Sequence, residues 1–241
     1  MAFVQSAKGG TASTVASFPL AFAANNGLNS LLVACFSWFA PATSVTVTDS
    51  QGNTWTKITT VTDGYGDNID MWYAVGCKAG ANTVTVTGVG GSIGGIGLNL
   101  LEYSYAATTV PTDGSSTRTA TTPVNGTDAM TTGSWTTTRN GGLIVCCSVE
   151  FSSSAQYAAI AAGTGFTMRS QQDAGGSYGM CSVEDKVQSV AGSVAGTMSY
   201  TGGAAFTSPM IAAAFKFYGL PVPLSPNGLG AAGPFYHNPL G

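Results

Sequence analysis

Apolar and polar positions alternate with period two along much of the chain, and the alternation is broken at regular intervals by turn chemistry. Ser44–Asp49 (SVTVTD) alternates strictly, "DSQGN" supplies a turn, and Thr54–Val61 (TWTKITTV) resumes the pattern, which predicts a β-hairpin. Thr14–Phe22 (TVASFPLAF) and Asn29–Phe39 (NSLLVACFSWF) precede it. Asn68–Val75 (NIDMWYAV), Asn82–Val89 (NTVTVTGV) and Ile96–Tyr105 (IGLNLLEYSY) follow. Enrichment in Thr, Val, Tyr and Trp favours strands over helices. About seven short strands in about a hundred residues predict an antiparallel sandwich.

The pattern then restarts. Leu31–Phe39 (LLVACFSWF) aligns with Leu143–Phe151 (LIVCCSVEF), Asn53–Thr59 with Gly165–Ser170, Val84–Gly88 with Met198–Gly202, and Ile96–Tyr105 with Met210–Gly219. Four segments in one order, at offsets of about 111 to 114, predict an internal duplication. The expected fold is all-β, a β-sandwich or jelly-roll with two similar halves of about seven strands, either separate or fused into one large sandwich. The first half runs over 1–107 and the second over 127–219. The Thr-, Ser- and Pro-rich stretch 108–126 reads as a linker or an added edge strand. Residues 220–241 carry prolines at 221, 223, 226, 234 and 239 and read as an extended arm. Within that arm Pro234, Phe235, Tyr236 and His237 are the candidate partner-binding residues, an aromatic anchor for a pocket on a neighbour.

Composition narrows the functional classes. Only 8% of the 241 residues are charged, against roughly 25% in an average domain, and Thr, Ser, Gly and Asn take their place. Such a surface is poorly protected against self-association and suits a protein covered by neighbours. The net charge is −3, and the eight basic residues are scattered, so the footprint that nucleic-acid binding requires is absent. The opening MAFVQSAKGG lacks the apolar core of a secretion leader, and the run LLVACFSWFA is too short to span a bilayer. The expectation is therefore synthesis in a host cytoplasm and no membrane partner.

The five cysteines include the pair Cys146 and Cys147. Strand neighbours point to opposite faces, so these two cannot share one metal or one pocket. The expectation is reduced core cysteines, with a Cys35–Cys147 or Cys146–Cys181 bridge as the alternative. No CxxC spacing exists, and the single histidine is His237, so neither zinc nor a Ser–His or Cys–His device is expected. No cofactor is expected. The densest acidic stretch, Thr62–Asp70, offers Asp63, Asp67 and Asp70 as weak Ca²⁺ ligands between two strands, or as turn residues. The glutamates are Glu102, Glu150 and Glu184. Glu102 and Glu150 sit in apolar strands and read as outward or strand-end charges, with a buried acid of raised pKa as the alternative. Trp38, Trp55, Trp72, Tyr73 and Trp135 read as core aromatics first and as a sugar platform second. Trp72 and Tyr73 must lie on opposite faces, so one of them is a candidate for a contact surface.

The segments "TVTDSQGNTW", "MWYAV", "AGANTVTVT" and "LLEYS", spanning Val45–Ser104, together resemble β-sandwich modules of phage structural proteins and of environmental bacterial surface proteins. The second half resembles them more faintly through "GGLIVCC", "GTGFTMRS" and "MIAAAFKFY". The resemblance implies a sandwich fold, a place on a virion or cell surface, and no established catalytic residues. The functional expectation is a non-enzymatic structural protein of a bacteriophage virion, a capsid decoration or minor subunit. Its partners would be copies of itself, as a homo-oligomer, and other virion proteins. The alternatives are a carbohydrate-binding or adhesive module at the cell surface and a subunit of an extracellular filament.

Overall fold

The computed structural model describes residues 1–63, 66–104, 111–119, 124–152, 160–173 and 179–216, and every regular element among them is a strand. The proposed arm at 220–241, with Pro234, Phe235, Tyr236 and His237, lies outside the described residues.

The first set of strands is β1 (Ala2–Val15), β2 (Ser17–Ala21), β3 (Leu31–Phe39), β4 (Ser44–Asp49), β5 (Trp55–Thr62), β6 (Asp67–Ala74), β7 (Thr83–Val89) and β8 (Ile93–Ser104). They form a five-stranded sheet in the order β1-β8-β3-β6-β5 and a three-stranded sheet in the order β2-β7-β4, antiparallel throughout. This is the wrapped order of a jelly roll, with β5 paired onto β6 at the edge of the larger sheet. β1 lies in a stretch whose glycines and Lys8 hide it from pattern reading.

The second set is β9 (Thr112–Arg118), β10 (Val124–Thr131), β11 (Trp135–Thr136), β12 (Gly142–Ser152), β13 (Ile160–Ala162), β14 (Thr167–Asp173), β15 (Met180–Gln188), β16 (Ser193–Val194), β17 (Thr197–Thr207) and β18 (Met210–Phe215). Its larger sheet runs β9-β18-β12-β15-β14, and β10 and β13 flank β17. β11 and β16 make a short separate ribbon. Apart from that ribbon, and from a short pairing of β12 with β17 at Phe151–Thr207 and Ser152–Phe206 that joins the two layers of this half, the pairing order repeats the first set strand for strand. Residues 112–118, inside the predicted joint, form the edge strand that corresponds to β1.

Register makes the correspondence residue-specific. Cys35 pairs with Met71 and Asn99, and Cys147 pairs with Val183 and Ile211. β3, β6 and β8 therefore match β12, β15 and β18 at one offset of 112, so the last segment is displaced by two residues from its sequence alignment. Even the irregularities match. β5 bulges between Lys57 and Thr59, and β14 bulges between Met168 and Ser170.

The two larger sheets stack back to back. One apolar cluster joins Leu31, Val33, Cys35, Ile69 and Met71 of the first set to Val145, Cys147, Val183, Ile211 and Phe215 of the second. Two further clusters fill the space between each larger sheet and its own smaller sheet. The result is four layers, and the central strands of the inner two are buried on both faces. That is why Leu31–Phe39 and Leu143–Val149 read as continuous apolar runs instead of alternating ones. The contacts between halves obey an approximate two-fold relation. Tyr73 packs edge to face on Phe215 at 5.5 Å between ring centroids, and their counterparts Asp185 and Tyr103 also meet. Cys35 and Cys147, which correspond to each other, touch at the centre. Tyr73 is thus the residue of the Trp72–Tyr73 pair that leaves its own core, for the other half of the molecule.

Polar contacts also cross this interface, some of them buried within it. Arg169 lies 4.3 Å from the Phe3 ring centroid and pairs with Asp185 at 2.9 Å. Asn99 Nδ2 donates to the Cys181 carbonyl at 3.0 Å, and Ser170 Oγ lies 2.5 Å from Asn99 Oδ1. All five cysteines are free and buried. Burial pushes the Cys77 thiol up to about 12 and the other four upward as well, so none is poised as a nucleophile. Cys146 faces its own half's core and Cys147 the shared one. Truncating Phe215 to alanine should open a cavity between the halves and cost about 3–5 kcal/mol in urea unfolding. A loss below about 1 kcal/mol would show that the shared core contributes little.

Candidate functional site

The acidic groups expected at the surface are mostly inside, each for a local reason. Glu102 is fully buried rather than outward. Its carboxylate accepts from Gln5 Nε2 at 2.6 Å, Asn26 Nδ2 at 2.8 Å, the Gly27 amide at 2.6 Å and Ser30 Oγ at 2.7 Å. Burial opposes its charge, but these donors together outweigh burial and hold it below the usual value. It ties residues 24–30 to β8 and β1, a structural task. Asp113 does similar work, accepting from the Thr138 and Arg139 amides at 2.7 and 3.2 Å.

The three aspartates of the Thr62–Asp70 stretch do not converge. Asp63 and Asp67 are neighbours across the turn, where the Asp67 amide donates to Asp63 Oδ1 at 3.0 Å. Burial first, and the Asp63 charge second, raise Asp67 to about 7. Asp70 faces the core of the first half instead, because two residues along a strand restore the same face and three do not. It accepts from Trp38 Nε1 and Trp72 Nε1, both at 2.9 Å, and Lys57 Nζ stands 3.9 Å away. Burial raises its pKa despite these partners. Trp38 is buried, whereas Trp55 and Trp72 are half-buried, with Lys57 Nζ 5.5 Å from the Trp72 ring centroid. Trp55 Nε1 donates to Asp49 at 3.0 Å. Trp135, also half-buried, lies against Gly114, where a side chain would collide with its indole. Among the described residues no group of three or more His, Cys, Asp or Glu is placed to hold a metal ion.

The second half holds the arrangement that sequence reading missed. On the inner face of β12 and β15 lie Ser148, Glu150, Ser182, Glu184 and, at the rim, Lys186. Glu150 and Glu184 are 1% and 0% exposed. Ser148 Oγ is 2.6 Å from Glu150 Oε1 and 3.2 Å from Met198 Sδ. The Gly163 amide donates to Glu184 Oε2 at 2.8 Å, and a side chain at 163 would collide with the Thr197 carbonyl. Glu150 Oε2, Ser182 Oγ and Glu184 Oε1 are buried with no hydrogen-bond partner among the described residues. Burial, against the weaker pull of Ser148, raises Glu150 to about 8. Burial also raises Glu184 to about 8, against the Gly163 amide and Lys186. A cleft of about 570 Å³ opens beside this row, lined by Met130, Ala162, Gly163, Lys186, Val194 and Met198 among others. Lys186 caps its rim, with Nζ 4.2 Å from the Phe166 ring centroid. The alternative reading of Glu150, as a buried acid, is the one that fits. Its sequence signal is a glutamate flanked by Val149 and Phe151 where its counterpart, Trp38, is apolar.

The chain matches no protein-family model, and comparison with curated proteins and with solved structures gives no match. Among the described residues no helix is long and apolar enough to cross a membrane. The fold is an all-β sandwich of antiparallel sheets, and a fold alone does not define an activity, so function rests on the surfaces and the site.

The raised carboxyls fix the sign of a pH effect. Folded Glu150 and Glu184 hold their protons to about 8, while the unfolded chain releases them near the ordinary glutamate value of about 4.3. Their contribution is therefore complete below about pH 4 and lost as pH rises to about 8. In a series of Tm measurements over that window, the E150Q/E184Q variant should lose less stability with rising pH than the wild type. Parallel Tm curves for the two would contradict the assignment.

Proposed function

We propose that the chain is a structural protein of a bacteriophage virion, a capsid decoration or minor structural subunit, without an enzymatic role. What supports this reading is the outward face of the first three-stranded sheet. Ser17, Thr87 and Thr46 lie in one cross-strand row, Pro19, Thr85 and Thr48 in the next, and Ala21 and Thr83 in the third. The valines between them point inward and are buried, so the face is hydroxyl, methyl and proline with no charge. Both edges of that sheet, β2 and β4, pair with β7 alone. Soluble monomers usually guard such edges with charge or cover. Pro19 gives β2 some protection, and β4 has only the Asp49 carboxylate at its end, already engaged with Asn53 and Trp55. A flat, charge-free face with open edges is suited to contact with copies of itself or with a capsid surface. The low overall charge acts in the same direction.

A second reading, a carbohydrate-binding or adhesive module, draws on one observation. Trp55 and Trp72 present half-buried indoles on adjacent strands beside Lys57, the kind of partly exposed aromatic surface on which sugars stack.

Placing arginine at Thr46 and Thr85 puts two charges in the middle of the hydroxyl face without touching the core. Light scattering of the full chain should show an oligomer for the wild type and a smaller species for T46R/T85R. Equal masses for both, with the far-UV spectrum unchanged, would remove this face from the assembly.

A further inference from the structure

One end of each half's own core can be compared position by position. In the first half that end is organised around an anion of the chain itself. The Asp49 carboxylate accepts from the Asn53 amide at 2.9 Å, Asn53 Nδ2 at 2.8 Å, Trp55 Nε1 at 3.0 Å and Asn82 Nδ2 at 3.2 Å. Ala74, opposite Trp55, is buried. The second half keeps the frame and changes every one of these groups. Register places Phe166 where Trp55 stands and Lys186 where Ala74 stands. Gly80 and Gly192 both have positive φ, and each carbonyl accepts an amide from the facing segment, Asn26 or Thr137, at 2.9 Å. They mark the same point of the two halves, so Val194 takes the place of Asn82. The connection from β13 to β14, Gly163–Phe166, has neither the carboxylate nor the amide side chain of the Asp49–Asn53 turn. The anion and its donors are gone, and a lysine has come in.

The cleft of about 570 Å³ opens at this end of the second half, with Thr164, Lys186 and Val194 in its wall. Its size falls within the roughly 300–1,000 Å³ of small-molecule sites. Among the described residues Lys186 is the one charged group lining it, and it forms no salt bridge. Its ammonium lies against the Phe166 ring. The acidic neighbours do not neutralise it. Glu184, two residues along the same face, holds its proton to about 8, and Asp185 turns to the shared core, where Arg169 engages it. Burial lowers the Lys186 pKa, and an opposite charge brought beside it would offset that cost. An anion is therefore the complementary ligand. A phosphate or sulfate would set two charges against one lysine and leave the apolar wall uncovered. A carboxylate matches the single charge, and it is the group that the first half supplies from Asp49.

We propose that the cleft of the second half binds a small aliphatic carboxylate, its head on the Lys186 ammonium and its alkyl chain along Met130, Ala162, Val194 and Met198. Methionine surfaces fit a flexible methylene chain without demanding one shape. The site lies wholly in the second half, so it stands apart from the assembly face of β2, β7 and β4 and from the virion reading.

The test is calorimetric titration of the full chain at neutral pH with sodium hexanoate, with n-hexylammonium chloride, 1-hexanol and sodium acetate as parallel titrants. Saturable binding of hexanoate is expected, at least about tenfold tighter than that of the other three. K186M should weaken it at least about tenfold, since a hydrogen bond between charged groups is lost. A162L, which fills part of the cleft, should weaken it as well. Failure of the wild type to bind hexanoate overturns the proposal. So does equal binding of hexylammonium or hexanol, which would deny the charge contact, or of acetate, which would deny the chain site. Unchanged affinity in folded K186M or folded A162L also overturns it. Should neither variant fold, the wild-type ranking of the four titrants decides the same question.

Discussion

The packing of two five-stranded sheets back to back is the constraint on which everything else rests. It buries the second face of β3, β8, β12 and β18, strands whose first face already closes a jelly roll. A sheet buried on both sides has no solvent face on which to place charge, which accounts for the scarcity of charged residues in these strands and for the depth at which their few carboxylates lie. It also sets the fate of the cysteines. Cys35 and Cys147 meet at the centre of the approximate two-fold because equivalent residues on such an axis must meet each other. The small size and weak polarity of a thiol suit that crowded point.

Much of this was legible in the chain. The alternation of β4, β5 and β7 and the turn at Asp49–Asn53 are local, and local signals survive in sequence; the β-hairpin predicted from them does not form, because β4 pairs with β7 and β5 with β6 in different sheets, so the turn carries the chain from one layer to the other. The correspondence between halves was legible wherever apolar residues recur, as in Leu31–Phe39 and Leu143–Phe151. β1 was not, because Lys8, Gly9 and Gly10 break the pattern, and an edge strand that pairs only with β8 tolerates such breaks. β9 was legible only as one of two alternatives, a linker or an added edge strand, because its Ser and Thr content suits both; its pairing with β18 shows the edge strand. The burial of Glu102 depends on four donors from two distant segments, Gln5 and residues 26–30, and no spacing rule connects them. The row on β12 and β15 escaped for the same reason. Its meaning emerges only when register sets Glu150 against Trp38 and Glu184 against Trp72.

Comparison of the halves also separates scaffold from specialisation. Strand order, the bulge in β5 and β14, and the crossed pair of contacts Tyr73–Phe215 and Tyr103–Asp185 are held in common, so they belong to the architecture. The inner polar sets differ in kind. In the first half Asp70 and two indoles complete one another and stabilise a closed core. In the second the same positions carry acceptors beside an open cleft.

Hydrogen exchange tests the shared core most directly. If the two larger sheets form one packed unit, amides of Leu31–Phe39 and of Leu143–Val149 should exchange only by global opening, at equal rates and with the same denaturant dependence. Protection that is lost in one of these strands at a denaturant concentration where the other stays closed would show two independent domains and contradict the account.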